Sequence, residues 1–173
     1  NMHSLEALIA AYETNGDARY LDRAEELAKN FCITLAGQAA GQIWEHYTEN
    51  WQPDWNYNID KPDDLFKPWG FQPGHQVEWA KLLLQLDAFA PQNWYLPAAC
   101  TLFDTAMEKG WDPLYGGLVY GYGPDGQFAD AHKYFWVQAE ALAAAWPLWK
   151  RTKETIYREH YHHLRERSRD HLI

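Results

Sequence analysis

The sequence has few of the features that would assign it to a membrane, to nucleic acid or to a secreted class. No apolar run approaches the ~20 residues that a transmembrane helix needs, and the first residues have no basic zone followed by an apolar one, as a secretion signal would. Only 15 Lys and Arg stand against 24 Asp and Glu, a formal net charge of −9. The electrostatic field of a protein with this negative charge repels phosphate backbones and anionic lipid. We therefore expect no nucleic-acid partner and no membrane partner.

Cysteine is equally scarce. Cys32 and Cys100 are the only two, and each lies within an apolar, helix-like pattern, where a buried thiol behaves as a small hydrophobic group. There is no CxxC pair and no disulfide framework. We expect two reduced thiols and a cytoplasmic location, although spacing alone leaves a single disulfide open.

Aromatic residues, by contrast, are abundant: they make up 16% of the chain and include ten Trp. Proteins that handle sugars often line grooves with Trp, but large aromatic residues also fill ordinary cores. The apolar content of 47% is enough for a folded core, and 173 residues suit one domain or part of a larger one.

Helical periodicity returns three times along the chain, each time as a pair of helices. Residues 42–59 and 116–126, which separate the pairs, alternate polar with β-branched and aromatic residues around turns, and so predict short β-hairpins. Pro147 predicts a kink or an early helix end. The fold class is therefore all-α. The predicted helices are Ser4–Tyr12, Ala18–Leu35, Pro73–Phe89, Trp94–Lys109, Lys133–Lys150 and a last one from Lys153.

One acidic position repeats in the first helix of each pair. Glu6, Glu78 and Glu140 correspond when these helices are aligned. His3 and His75 each precede their glutamate by three residues, so imidazole and carboxylate share one helix face. This spacing suits an acid/base site, and it equally suits a solvent-facing histidine with an ordinary helix salt link.

His75 follows a Pro-Gly pair and should therefore project from a helix N-terminus. The partial positive charge there predicts a lowered pKa for His75. Glu78, one turn later, is predicted to hold a ring proton of His75 and orient it. The cluster around His160, His162 and His163 could bind a metal, but neighbouring helical histidines diverge, so we interpret it as a solvated face.

Three segments together carry a family resemblance: Asn1-Met2-His3, Pro73-Gly74-His75-x-x-Glu78-Trp79, and Lys133-x-x-Trp136-Val137-Gln138-Ala139-Glu140-Ala141. They resemble the N-acylglucosamine 2-epimerase superfamily, and residues 69–83 are most similar to its aldose–ketose (mannose) isomerase branch. The resemblance implies an (α/α)6 toroid of about six helical hairpins. Both chain ends interrupt the helical pattern. We therefore expect residues 1–173 to be a single domain and a fragment, a partial (α/α)6 toroid of about three hairpins.

The resemblance also implies roles for individual residues, without a cofactor or a metal. His75 would be a catalytic acid/base, His3 would assist binding or ring opening, and the remaining positions would support the site or contact the sugar. An arginine and a further catalytic histidine of the family lie outside this chain, so the fragment alone is expected to be inactive. The implied supporting residues are Glu78, Glu6 and Glu140, and the implied sugar contacts are Trp69, Phe71 and Trp136.

The leading hypothesis is a cofactor-independent isomerase that interconverts mannose or a related aldose with its ketose through an enediolate. The runner-up is 2-epimerisation of an N-acylglucosamine or of cellobiose. A glycoside hydrolase would place two carboxylates across the scissile bond, whereas the inner positions here hold His/Glu pairs. A helical-repeat binding scaffold is the non-enzymatic alternative. The expected partner is a small sugar, and a homo-oligomer is a further prediction.

Overall fold

The computed structural model describes residues 1–171, in which six α-helices form three consecutive hairpins. Helix α3 packs against both α4 and α5, and α1 packs against α2 and α3, so α3 lies at the centre. The predicted all-α class is confirmed, and the helix ends differ from the predicted ones by a few residues. No helix among the described residues is both long and apolar enough to span a bilayer. The helices are α1 Met2–Asn15, α2 Ala18–Lys29, α3 Pro73–Phe89, α4 Tyr95–Gly110, α5 Phe135–Thr152 and α6 Thr155–His171.

Local signals account for most helix ends. Helix α1 ends at Gly16, whose φ of 72° lies in the left-handed region that glycine tolerates best. Helix α2 begins after Asp17, whose carboxylate accepts a hydrogen bond from the Arg19 backbone N–H. Pro73 occupies the first turn of α3, where its missing N–H is harmless.

The structure bears on two predictions about helix continuity: the early end at Pro147 is wrong, and the helix predicted to Leu35 changes type before it ends. Helix α5 runs through Pro147 to Thr152, because residues on both sides of the proline, such as Ala144 and Leu148, are completely buried and hold the helix in place. The predicted helix to Leu35 is α-helical only to Lys29, and Asn30–Leu35 form a π-helical turn. Within that turn Phe31 stacks on Trp79, with ring centroids 5.5 Å apart.

The second of the two predicted hairpins is confirmed and the first is not. Strands β1 (Gly121–Tyr122) and β2 (Phe128–Asp130) pair antiparallel. Residues 42–59 instead form turns joined by one bridge between Tyr47 and Pro53. The Gln76 side chain, 33 residues away, takes the place of a partner strand for Ile43, accepting from the Ile43 N–H at 3.0 Å and donating to its carbonyl at 2.7 Å.

The same arrangement recurs in the next repeat. Gln138 accepts from the Leu118 N–H at 2.9 Å and donates to the Leu118 carbonyl at 2.8 Å. Gln76 and Gln138 each precede the repeated glutamate by two residues, so the same repeat position fixes a loop onto α3 and onto α5, whereas α1 has Ser4 there. Both side chains are buried, which makes these paired bonds effective anchors.

The core consists of one large apolar cluster among the helices and a small aromatic one beneath the loops. The small cluster contains Ala39, Trp44, Phe71 and Tyr122. Cys32 is buried, Cys100 is half-buried, and neither forms a disulfide, so the prediction of free thiols is confirmed.

Candidate active site

The three repeated glutamates meet in space, on α1, α3 and α5. The Lys81 ammonium lies 2.6 Å from Oε2 of Glu140 and 3.5 Å from Oε1 of Glu6. Glu78 sits between these helices with only 6% of its side chain exposed, and its Oε1 is 3.9 Å from Nδ1 of His3. The three glutamates that align in the sequence repeat therefore belong to one cluster of charged side chains.

His3 and His75 line a common cavity of about 280 Å³. Nδ1 of His3 lies 2.8 Å from Oε2 of Glu6, and 81% of the His3 side chain is exposed. His75 is half-buried. The walls are largely aromatic, so the cavity joins two imidazoles to the flat apolar surfaces that sugars stack on. The other lining residues are Asn1, Met2, Phe31, Ile43, Trp44, Glu45, Tyr47, Trp51 and Trp79.

His75 is oriented by Glu45, not by Glu78 as predicted. Nδ1 of His75 lies 2.9 Å from Oε2 of Glu45, whose side chain is 16% exposed. Glu78 lies toward His3 and the charge cluster instead and acts on His75 only through its charge. The predicted partner is therefore wrong, because a carboxylate 30 residues away approaches the ring more directly than the one a helical turn along.

The predicted direction of the His75 pKa is wrong as well. Burial lowers the pKa of His75, but the charge and hydrogen bond of Glu45, with the charge of Glu78, outweigh burial and raise it above its ordinary value. The helix N-terminus by itself would favour the neutral ring. Two nearby carboxylates reverse that preference.

The carboxylates of the cluster have divergent pKa values. Burial and the charge of Glu140 raise the pKa of Glu78 above its usual range, although Lys81 opposes them. Burial also acts to raise the pKa of Glu6, but the hydrogen bond from His3 and the charge of Lys81 lower it overall. Burial lowers the pKa of Lys81, yet its bond to Glu140 and the surrounding carboxylates raise it. Lys81 is therefore a cation at neutral pH.

The three predicted aromatic contacts occupy different positions around the cavity. The Trp136 ring lies 5.4 Å from the His75 ring, centroid to centroid. Phe71 is only 3% exposed and packs on Trp44 at 4.9 Å, while Trp69 contacts Trp44 from another side at 6.1 Å. None of the three lines the cavity itself. In this structure Trp69 and Phe71 support Trp44, and Trp44 forms part of the wall.

The residues that sequence reasoning missed lie mostly in 42–59. Glu45, Trp44, Tyr47 and Trp51 line the cavity. The many aromatic residues of this segment could have indicated a cavity wall, but they are equally typical of the β-hairpin that the pattern predicted.

Among the side chains that the structure describes, within residues 1–169, His3, Glu6 and Glu78 are the one group of His, Cys, Asp or Glu residues whose donor atoms are close enough to hold a metal ion, all within 4.8 Å of one another. The Lys81 ammonium already supplies positive charge beside Glu6. His160 and His163 line a separate cavity between α4 and α6. The absence of a metal or cofactor stays a prediction.

Sequence comparison assigns the chain to a family of sugar epimerases. The profile of N-acylglucosamine 2-epimerase (GlcNAc 2-epimerase) matches residues 1–173, and the chain belongs to this family. It is 56% identical over 174 residues to a D-mannose isomerase of Marinomonas mediterranea, covering 100% of this chain and 44% of that protein. It is 36% identical over 166 residues to a D-mannose isomerase of Thermobifida fusca, covering 94% of this chain and 40% of that protein.

Solved structures agree with the sequence comparison. A crystal structure of D-mannose isomerase superposes with a TM-score of 0.98 at 55% identity, covering 99% of this chain and 44% of that chain. A cellobiose 2-epimerase from Spirochaeta thermophila superposes with a TM-score of 0.79 at 21% identity, covering 99% of this chain and 40% of that one, and this likeness concerns the fold alone. The chain spans less than half the length of these relatives.

Proposed function

We propose that this chain carries part of the active site of an aldose–ketose isomerase that acts on mannose. One observation carries the proposal: two imidazoles line a single aromatic-walled cavity in a chain 56% identical to a D-mannose isomerase. The cavity of about 280 Å³ is near the lower end, roughly 300 Å³, of small-molecule sites, which suits a monosaccharide.

The chemistry requires a base beside C2 of the open-chain sugar. In our proposal Nδ1 of His75 donates to Glu45, which leaves Nε2 as the basic atom. His75 removes the C2 proton and returns it to C1, while the proton on O2 passes to O1. The aldehyde then becomes a primary alcohol and C2 becomes the ketone, so all atoms balance. No oxidant or cofactor is needed.

The neighbouring groups have supporting roles in this proposal. His3, hydrogen-bonded to Glu6, would assist ring opening by exchanging a proton with the ring oxygen or O1. The charge of Glu78 would favour the protonated form of His75 that follows proton abstraction. Trp51, which is 51% exposed, would pack on the sugar, Trp44 would support the wall behind it, and Trp136 would keep the His75 ring in place.

We further propose that residues 1–173 are one part of an (α/α)6 toroid, about half of it, and that they need the remainder for activity. The length of the relatives supports this. A cytoplasmic location, supported by the two free thiols, belongs to the same proposal. A homo-oligomer remains a prediction.

The test is an assay of the complete open reading frame with mannose in D₂O. We expect fructose to form and deuterium to enter at C1 or C2 as the enediolate is reprotonated. His75→Asn should abolish both, whereas His132→Asn, a change at an exposed histidine on the 128–134 segment, should leave them intact.

The alternatives give different products. A 2-epimerase would return deuterium at C2 of an inverted aldose, and a glycoside hydrolase would cleave disaccharides without deuterium entering a C–H bond. A binding scaffold would leave mannose unchanged. Formation of no ketose from any aldose in a panel would overturn the proposal.

A further inference from the structure

We propose that Lys81 is a positioning residue of the site: its ammonium group holds Glu6 and Glu140 in one cluster with Glu78, so that Glu78 stays a carboxylate beside His3 whose charge also acts on His75. The expected effect of Lys81 on catalysis rests on the proposed function. The effect of Lys81 on the charge of Glu78 rests on the geometry of the cluster alone.

The first argument is the geometry of the cluster. Lys81 lies one turn after Glu78 on α3 and reaches Glu140 on α5 at 2.6 Å and Glu6 on α1 at 3.5 Å. A single ammonium group therefore joins three inner helices. Only 15% of its side chain is exposed, so water screens these contacts poorly.

The second argument is the charge balance. Three carboxylates converge here, and Glu78, whose side chain is 6% exposed, is disfavoured as an anion by its like-charged neighbours unless a cation lies among them. The titratable and charged groups that face Glu78 are His3 and Glu6 from α1, His75 and Lys81 from α3, and Glu140 from α5. Lys81 is the one lysine or arginine in this set, and an ammonium group keeps its charge over the range in which an imidazole serves as a switch.

The third argument is the effect of the Glu78 carboxylate on the two histidines. Its Oε1 is 3.9 Å from Nδ1 of His3, and its charge acts on His75. If Glu78 accepted a proton, both imidazoles would lose a negative neighbour. Without Lys81 this proton uptake would occur at higher pH, because the charges of Glu140 and Glu6 would act on Glu78 without the ammonium group that opposes them.

The experiment follows the protonation of Glu78 directly, using ¹³C-carboxyl NMR on the complete open reading frame, with the Glu78→Gln variant to assign the resonance. Lys81→Met should move the Glu78 titration to higher pH, and Glu140→Gln should move it to lower pH. The double variant Lys81→Met/Glu140→Gln should return it toward the wild-type position, because one positive and one negative charge are removed together.

Kinetics on the same variants test the catalytic consequence. We expect Lys81→Met to lower kcat by between about tenfold and about 100-fold with a smaller change in KM, because misplacing reacting groups by about 1 Å can cost about 100-fold. The acid limb of the pH profile should move to higher pH with it. Lys81→Arg should recover most of kcat. Lys29→Met, at an exposed lysine near the end of α2, is the matched control.

The outcomes separate the two proposals. A wild-type protein without isomerase activity would overturn the proposed function, while the NMR titration still decides the role of Lys81. An unmoved Glu78 titration in folded Lys81→Met protein, or a double variant no closer to wild type than the single one, would overturn the inference. Thermal unfolding identifies variants that fail to fold, and Lys81→Arg then supplies the test.

Discussion

Glu45 and His75 lie 30 residues apart in the chain, yet Oε2 of one is 2.9 Å from Nδ1 of the other. Glu45 belongs to an irregular segment that follows the π-helical turn, and His75 belongs to the first turn of α3. Their contact joins the loop wall of the cavity to an inner helix. It also decides which nitrogen of His75 is available as a base.

Glu45→Gln should lower the pKa of His75. The carboxylate raises this pKa by charge and hydrogen bonding, so its neutral amide leaves burial to act with less opposition. A histidine C–H resonance followed by NMR against pH should therefore titrate at lower pH in the variant. In the active protein, the rise in rate that accompanies deprotonation of His75 should move to lower pH as well.

Glu49→Gln is the control for this prediction, because Glu49 is an exposed carboxylate on the same segment. Its substitution should leave the His75 titration in place. An equal shift in both variants would mean that the general acidity of the segment, and not the Glu45 contact, sets the pKa.

Trp44→Phe should weaken both the fold and sugar binding. Trp44 is 1% exposed and its Nε1–H donates to the Asp54 carbonyl at 3.1 Å, a bond that phenylalanine cannot make. We expect a loss of about 1–3 kcal/mol in the free energy of unfolding, because the carbonyl loses its donor. In the active protein KM for the sugar should rise with it. Trp146→Phe, at a ring 41% exposed on α5, should change neither quantity appreciably.

Gly74→Ala should disturb the His75 neighbourhood through packing alone. A Cβ at this position would lie 2.5 Å from Cη2 of Trp136 and 2.9 Å from Cγ2 of Val137, so both side chains must move. Overpacking of this kind costs about 1–3 kcal/mol. Chemical denaturation and Trp fluorescence measure the loss. Gly37→Ala is the matched control, since a Cβ there meets nothing within 4 Å.

Asp112→Asn should lose stability in a pH-dependent way. The hydrogen bond from Lys133 and those from the Tyr115 and Leu114 backbone hold the pKa of Asp112 at about 2. This pKa is below the unfolded value of about 3.9, so the carboxylate contributes stability above about pH 4 that is lost as the pH falls toward 2. The stability difference between wild type and variant should therefore shrink over that range.

Asp60→Asn is the comparison for Asp112, because Asp60 is exposed in the 55–67 loop. Its denaturation midpoint should track the wild type at every pH. A constant difference between wild type and Asp112→Asn from pH 7 down to 2 would contradict the ion-pair explanation.

The helices and the glutamate repeat could be predicted from the sequence, because both rest on local spacing. Apolar periodicity predicted six helices in the right order. Glu6, Glu78 and Glu140, which align in the sequence, lie together in the structure. His3 and His75 also line one cavity, as the resemblance implied. The roles assigned to individual site residues remain predictions.

What could not be predicted depends on irregular backbone and on contacts distant in sequence. Nothing in the spacing indicates that Glu45 reaches His75, or that Gln76 replaces a strand partner for Ile43. The sequence favoured Phe71 as a ligand contact. Its burial behind Trp44 depends on a bridge to Tyr122, which lies much later in the chain. Segments without periodicity carry little information about their fold.

The π-helical turn at Asn30–Leu35 makes the cavity wall unusually sensitive to chain length. Such a turn behaves as one surplus residue in an otherwise regular helix. Removing a single residue from it would restore the ordinary α-helical pitch and change the position of the side chains within the turn. Phe31, which stacks on Trp79, lies in that turn. A one-codon deletion could thus reshape the pocket while leaving all six helices intact.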